Sequence, residues 1–293
     1  MRKFILFLIC FLVFAPVVSI AKAAEIPNVG FVNNRPKLLG NDLKSFFCNY
    51  VNYANQHNLD ALMNLYADDY KSSDDFGKEK LKDLAKDAWN AFPDAKYSFK
   101  ILHIDAGFEN AIVIAEEEIK GETVSNLDYI KGNGLIVSDA VTVYNLKKVS
   151  GEWKIIKDTI IDERTSLRYG AAKNISIVLD APNFIKPGSE YTVGLKVNAP
   201  KGCLSLISLN NEPIVYPPEK SKEVFRTLKS NDIQERILKV NEEGRNENAI
   251  ASIGIAKAKI TPQKDINIKV IGIAFFTSRV NIIKDNIERN TDK

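Results

Sequence analysis

The sequence predicts an α+β fold: helices layered on one face of a curved antiparallel sheet in a cone-shaped domain, followed by an all-β sandwich domain. Three observations carry this expectation. Apolar residues recur at three-and-four spacing between residues 43 and 92, the mark of helices with one buried stripe. From Tyr97 the period changes to two, as in strands. Beyond residue 173 no long helical pattern returns, and prolines punctuate short alternating runs.

The chain has 293 residues, 45% apolar and 26% charged, with 15 Gly and 11 Pro. That length suits about two domains of ~100–200 residues each. The composition excludes collagenous, disulfide-stapled and wholly disordered chains.

Residues 1–23 have the three-part form of a secretory signal. Arg2-Lys3 open it, residues 4–20 are almost continuously apolar, and Ala21-Lys22-Ala23 offers small side chains for cleavage before Ala24. An uncleaved anchor is the rival reading, but Pro16 interrupts the run. The expectation is an exported chain, periplasmic or extracellular, with no integral membrane segment after cleavage. Without this segment the net charge is zero, divided as −5 over residues 24–172 and +5 over 173–293. Neither half shows a dense basic stripe with interleaved aromatics, so nucleic acid is not an expected partner. Cys10, Cys48 and Cys203 lie far apart and only His57 and His103 accompany them, which leaves no zinc-ligand spacing. Cys48 and Cys203 read as buried free thiols, with an interdomain disulfide as the alternative. No metal and no cofactor is implied.

Residues 24–40 read as an irregular lead-in. Leu43, Phe46, Phe47, Tyr50, Val51 and Ala54 then share one helical face. Asn58 is placed to cap a second short helix carrying Leu59, Leu62, Met63, Leu65 and Tyr66. A third helix covers residues 78–92 until Pro93 stops it. Asp74-Asp75 before it read as caps that satisfy free amides and the helix dipole. Strands follow around residues 97–104, 111–120, 135–148 and 153–163, the last pair joined by a tight turn at Val149-Ser150-Gly151.

Asn58-Leu59-Asp60-Ala61-Leu62-Met63-Asn64-Leu65-Tyr66-Ala67-Asp68-Asp69-Tyr70 resembles the second-helix signature of the nuclear transport factor 2-like (SnoaL-like) superfamily. Gly151-Glu152-Trp153-Lys154-Ile155-Ile156-Lys157-Asp158 resembles its last hairpin. The resemblance covers residues 41–170 and implies helices closing over a concave sheet to leave a pocket. It implies no single reaction, since that superfamily holds isomerases, dehydratases, cyclases, adaptors and non-catalytic domains. Residues 174–278 read as about seven short strands in a β-sandwich, and the Lys186-Pro187-Gly188 turn is similar to bacterial immunoglobulin-like modules. Residues 279–293 read as a polar tail.

Catalytic relatives of the first domain place a carboxylate in an apolar pocket, where burial raises its pKa toward neutrality. By position Asp158 on the last strand is the leading candidate, against the plainer account of a hydrogen-bonded strand aspartate. Glu116 and Glu118 share a face with Ile112 and Ile114; a strand end emerging into water is the plainer account of that acidic run. Asp139, His103 and the tyrosines Tyr50, Tyr66 and Tyr129 complete the acid–base candidates, and Trp89 joins them as pocket wall. No Ser/His/Asp order, phosphate loop, CxxC or HExxH is present.

The leading functional expectation is an exported, non-catalytic protein whose pocket domain and sandwich bind a small ligand or an envelope partner. One alternative is a small-molecule isomerase or dehydratase working through Asp158. The other is a structural scaffold dimerising through the first-domain sheet.

Overall fold

The computed structural model describes residues 37–127, 130–216, 223–228, 232–260 and 266–283. The expected signal segment, the lead-in up to residue 36 and Tyr129 lie outside the described residues.

The first helix, α1 (Lys37–Asn55), begins inside the expected lead-in. Its Leu43, Phe46, Phe47, Tyr50 and Ala54 are buried, as their spacing requires. Helix α2 (Leu59–Met63) is capped as expected: Asn58 Oδ1 accepts the Ala61 amide at 3.1 Å. Helix α3 (Lys78–Ala91) has extended Gly77 at its N-cap and no side-chain cap. The expected capping by Asp74 therefore fails, because its carboxylate turns instead to Arg279. Cys48 is exposed on α1 and Cys203 half-buried; both are free thiols, so Cys48 is not the buried residue expected.

Four long strands follow: β1 (Lys96–Ala106), β2 (Asn110–Leu127), β3 (Ile130–Val149) and β4 (Glu152–Gly170). The β3–β4 loop is two residues, Ser150 and Gly151, both at positive φ, as a tight hairpin turn demands. A 3₁₀ turn (Ala171–Asn174) then leads into β5 (Ile177–Asp180), β6 (Phe184–Ile185), β7 (Glu190–Val197) and β8 (Cys203–Pro213). The remaining strands are β9 (Arg226–Leu228), β10 (Ile233–Lys239), β11 (Glu247–Ile260) and β12 (Ile266–Ile282).

The fold class is where the sequence misleads. The chain is mostly strand, with three short helices among the described residues, and it does not divide into an α+β cone and a separate sandwich. One large sheet runs β1-β2-β3-β4-β12-β11-β8-β9, with β6 added beside β12. Its continuity rests on the antiparallel pairing of Gly272–Ser278 in β12 with Arg164–Gly170 in β4. A second sheet, β10-β7-β5, packs its buried Val193, Leu195 and Val197 on the β8, β11 and β12 portion. The helices pack on the β1–β4 portion, where Leu43, Phe47, Leu62 and Leu81 meet Val113, Ala115 and Ile155. Period-two runs reveal strands but not their neighbours, so a last strand that returns to pair with the first half leaves no local signal.

Gly170 marks the join. Its φ is +55°, and a Cβ there would collide with the Ile271 carbonyl, so the close approach of β12 requires glycine. Residues 279–282, expected in a fraying tail, belong to β12, and Arg279 is fully buried.

The pairing of β4 with β12 stops at Arg164 and Ser278. Below that point the strands diverge, leaving the first part of β4 with an unpaired edge. The segment after α2 covers it: Ala67 and Lys71 amides donate to Ile155 and Ile156 carbonyls, and the Ser73 amide donates to the Asp158 carbonyl at 3.0 Å. Across the gap, β12 turns to β6, with Asn281 opposite Phe184. Asp74, next after Ser73, enters the fork.

Candidate functional site

Alternation places Val113, Ala115, Glu117 and Ile119 of β2 on the helix-facing side. Glu117, not its neighbours, is the inward acid. It is buried and accepts the Tyr144 hydroxyl at 2.7 Å. Burial pushes its pKa up to about 7, against the pull of the Tyr144 and Thr142 hydroxyls. Glu116 and Glu118 project from the opposite face and pair with Lys100 and Lys120, which removes both as pocket residues. His103 is exposed, on the far side of an irregularity between Ile101 and His103, and it does not reach the interior.

Asp158 does face the helices. Tyr144 pairs with Asp158 across β3 and β4, and the Tyr70 hydroxyl donates to Asp158 Oδ2 at 2.6 Å. Burial raises the Asp158 pKa to about 6, opposed by the Tyr70 hydrogen bond, while Asp74 adds to the rise and Arg279 reduces it. The inward set on β4 is reached through irregularities on both sides of Asp158, which interrupt the alternation at Ile156 and Ile161. Counting by twos puts Ile156 on the Asp158 face; the structure puts Ile155 there.

The expected pocket between helices and sheet is occupied by side chains of the chain itself. Tyr50, Tyr66, Tyr70 and Tyr144 are all at most 3% exposed, with ring centroids 4.9 Å apart for Tyr66–Tyr70, 6.2 Å for Tyr50–Tyr144 and 6.5 Å for Tyr50–Tyr66. Phe47 stacks on Phe99 at 4.5 Å beside them. Burial raises all four tyrosine pKa values, so these hydroxyls stay protonated, and those of Tyr70 and Tyr144 donate to Asp158 and Glu117. Trp89 is not part of this nest; it stacks on His57 at 4.8 Å. Asp139 lies on the opposite face, where burial raises its pKa to about 6.

The polar interior continues into the fork. Glu117, Ala140 and Glu163 are register partners across β2, β3 and β4. Arg279 of β12 lies one residue beyond the last β4 pair and carries the row onward. Its Nη2 and Nη1 donate to Asp74 Oδ1 and Oδ2 at 2.6 and 3.0 Å, a two-pronged pair with both side chains at most 4% exposed. Its Nε donates to Asn281 Oδ1 at 2.8 Å, and Glu163 Oε2 lies 3.7 Å from Nη1. One guanidinium thus serves two buried carboxyls. Burial, offset in part by Arg279 and reinforced by Asp74, raises the Glu163 pKa to about 8. Asn246 clamps the arrangement: its Nδ2 donates to Asp74 Oδ1 at 2.8 Å, and its Oδ1 accepts the Ile282 amide at 2.9 Å.

These contacts form the inner wall of a cleft of about 690 Å³ where the two strands part. Ser73, Asp74 and Lys80 line it from the helical side, Thr159 and Ile161 from β4, and Asn246, Tyr216 and Asn281 from the second half. Its size falls in the range of about 300–1,000 Å³ typical of small-molecule sites. Apolar groups (Phe76, Ile160, Ile214, Ile282) share its wall with the polar side chains of Asn246 and Asn281, and the buried Lys80 ammonium packs on the Tyr216 ring. Such a surface can bury an apolar body and orient it through a few polar contacts.

Of the residues expected at the site, the structure brings together Asp158, Tyr50 and Tyr66, and leaves Trp89, His103, Glu116 and Glu118 elsewhere. Sequence reasoning missed Glu117, Tyr70, Tyr144, Glu163, Asp74 and Arg279. For Glu117 a signal existed in its shared parity with Val113, Ala115 and Ile119. For Arg279 none did, since its partner lies 205 residues away. Among the described residues no group of His, Cys, Asp and Glu could hold a metal ion, and no helix is long and apolar enough to cross a membrane.

No protein-family model matches the chain, and no curated protein matches it. Solved structures do show similarity. A candidate scytalone dehydratase from Novosphingobium aromaticivorans matches at 15% identity, over 42% of this chain and 83% of that one, with a TM-score of 0.36. A protein of unknown function with a cystatin-like fold from Nostoc punctiforme matches at 13% identity, over 43% and 91%, with a TM-score of 0.33. A hexachlorocyclohexane dehydrochlorinase from Novosphingobium barchaimii matches at 17% identity, over 41% and 84%, with a TM-score of 0.35. Likenesses of this size carry nothing about activity.

Proposed function

We propose that this chain is an exported, non-catalytic binding protein whose small ligand sits in the cleft at the fork between β4 and β12. In this reading residues 41–170 are a nuclear transport factor 2-like unit whose own pocket has been filled, and binding has moved to the seam with the second half. The observation that carries the proposal is the cleft itself. Its wall is held rigid by the buried Arg279–Asp74 pair and by Asn246, while Asn281 and Tyr216, its ring covered by the Lys80 ammonium, line the interior. A buried, fully engaged clamp behind an open cleft is what a preorganised binding site needs. The signal-like residues 1–23 supply the exported setting.

The filled tyrosine nest weighs against the catalytic alternative. Asp158 has an elevated pKa, but Tyr70 already occupies one of its oxygens and tyrosine rings take the space a substrate would need. Native mass spectrometry of the protein purified from its own envelope fraction tests the proposal. A co-purifying small molecule, lost on substituting Asn246→Leu at the cleft wall, supports it. A ligand-free dimer would overturn it in favour of a scaffold, and turnover abolished by Asp158→Asn would overturn it in favour of an enzyme.

A further inference from the structure

A second concavity lies on the sheet face opposite the helices. It is a groove of about 430 Å³ between β3, β4 and β12, roofed by β5. Alternation along β4 sends Arg164, Ser166 and Arg168 to this face, while Leu135, Val137 and Asp139 come from β3. Val178 and Leu179 close the groove from the smaller sheet.

Arg168 is the unusual member. Its guanidinium lies 4.8 Å from the Phe276 ring and donates from Nη1 to the Ile175 carbonyl at 3.1 Å. It is half-buried and has no carboxylate partner among the described residues. A guanidinium carries five donors and cannot shed its charge, so partial burial without an anion leaves recognition capacity unused. Its neighbours are also cationic. Arg164, with a side chain 56% exposed, sits at the mouth 3.6 Å from Asp162, and Lys173 lies 3.4 Å from Glu122. Asp139, which pairs with Arg164 across the strands, is the one carboxylate lining the groove. Arg164 and Lys173 are matched by Asp162 and Glu122, so among the described residues Arg168 is the groove's cation without a carboxylate, while Leu135, Val137 and Val178 give the groove an apolar wall.

We propose that this groove is a second ligand site, separate from the fork cleft, that takes a small amphiphilic carboxylate. The carboxylate would pair with Arg168 and Arg164, and the hydrocarbon body would lie on Val137 and Val178. The planar fork of Arg168, held in place by Phe276 and the Ile175 carbonyl, suits two-pronged recognition of a carboxylate. The apolar wall separates this ligand from a free inorganic anion.

The test is titration calorimetry on the full mature chain with octanoate, octanol and inorganic phosphate as probes. Octanoate should bind saturably, and octanol and phosphate each about tenfold more weakly or worse, since each lacks one half of the match. Arg168→Gln should weaken octanoate by about tenfold or more, the usual consequence of losing a charge-assisted pair. Arg164→Glu, at an exposed position, should weaken it further than Arg164→Gln, with thermal melts of both variants showing that they remain folded. Equal binding of octanoate and octanol would overturn the proposal. So would phosphate binding as tightly as octanoate, or octanoate affinity unchanged in the Arg164 variants.

Discussion

Replacing Arg279 with methionine removes the charge that holds the fork together while keeping most of the side-chain volume. In the native chain the guanidinium is fully buried, makes two charge-assisted hydrogen bonds to Asp74 at 2.6 and 3.0 Å and lies 3.7 Å from Glu163. Its loss strands buried carboxyl groups, and breaking such a pair from one side costs about 3–5 kcal/mol. For a chain of this size the melting temperature should fall by about 6–20 °C. Paired urea unfolding curves of Arg279→Met and wild type at pH 7 measure the loss. The double variant Arg279→Met/Asp74→Leu should regain most of it, because leucine leaves no carboxylate to strand. A deficit below about 1 kcal/mol, or a double variant no more stable than Arg279→Met, would refute the reasoning.

Other perturbations read other parts of the molecule. Glu163 and Glu117 have folded pKa values raised to about 8 and about 7 from 4.5, so the native state holds protons that the unfolded state has released. Their contribution is fully present below about pH 4.5 and is lost as pH rises through 7 and 8. Urea midpoints should therefore fall between pH 5 and pH 9 in wild type and fall less in Glu163→Gln. Tyr70→Phe removes the hydroxyl that restrains Asp158; carboxyl carbon NMR should show Asp158 titrating above its native value of about 6, with a stability loss of about 1–3 kcal/mol. Glu247 is fully buried and accepts the Tyr191 hydroxyl and the Asn211 amide on Oε1 and the Asn241 side-chain amide on Oε2, at 2.8–2.9 Å. Glu247→Ala strands these donors, and the melting temperature should drop by several degrees more than in Tyr191→Phe, which strands none. Gly170→Ala forces a side chain against the Ile271 backbone at positive φ and should destabilise the whole chain in calorimetry, whereas Gly132→Ala, in open space, should not match it.

The elements of this fold were legible in the sequence to a greater degree than their assembly. The stripe from Leu43 to Ala54, the cap at Asn58 and the turn at Ser150-Gly151 are local patterns, and each element formed where its pattern lies. What failed was non-local. Nothing around Ile266–Ile282 distinguishes a strand that pairs with β4 from one closing a separate sandwich, so the continuous sheet was read as two domains. The candidate site divided the same way. Asp158, Tyr50 and Tyr66 were found because a carboxylate and tyrosines sit on apolar faces. Glu117 was passed over because Ile112 and Ile114 offered an equally apolar parity for Glu116 and Glu118. Asp74 reads as a helix cap only until Arg279 is known to stand beside it, and the irregularities in β4 change the face of each residue beyond them without altering composition.

Hydrogen exchange at peptide resolution tests the central claim, that the fork between β4 and β12 is the ligand site. The comparison is between protein isolated from its own envelope fraction and the same protein unfolded, dialysed and refolded. Loss of protection confined to residues 73–77, 159–161, 244–246 and 281–283 is the predicted result. Identical exchange in the two preparations, or a change centred on Tyr50, Tyr66 and Asp158 instead, would contradict it.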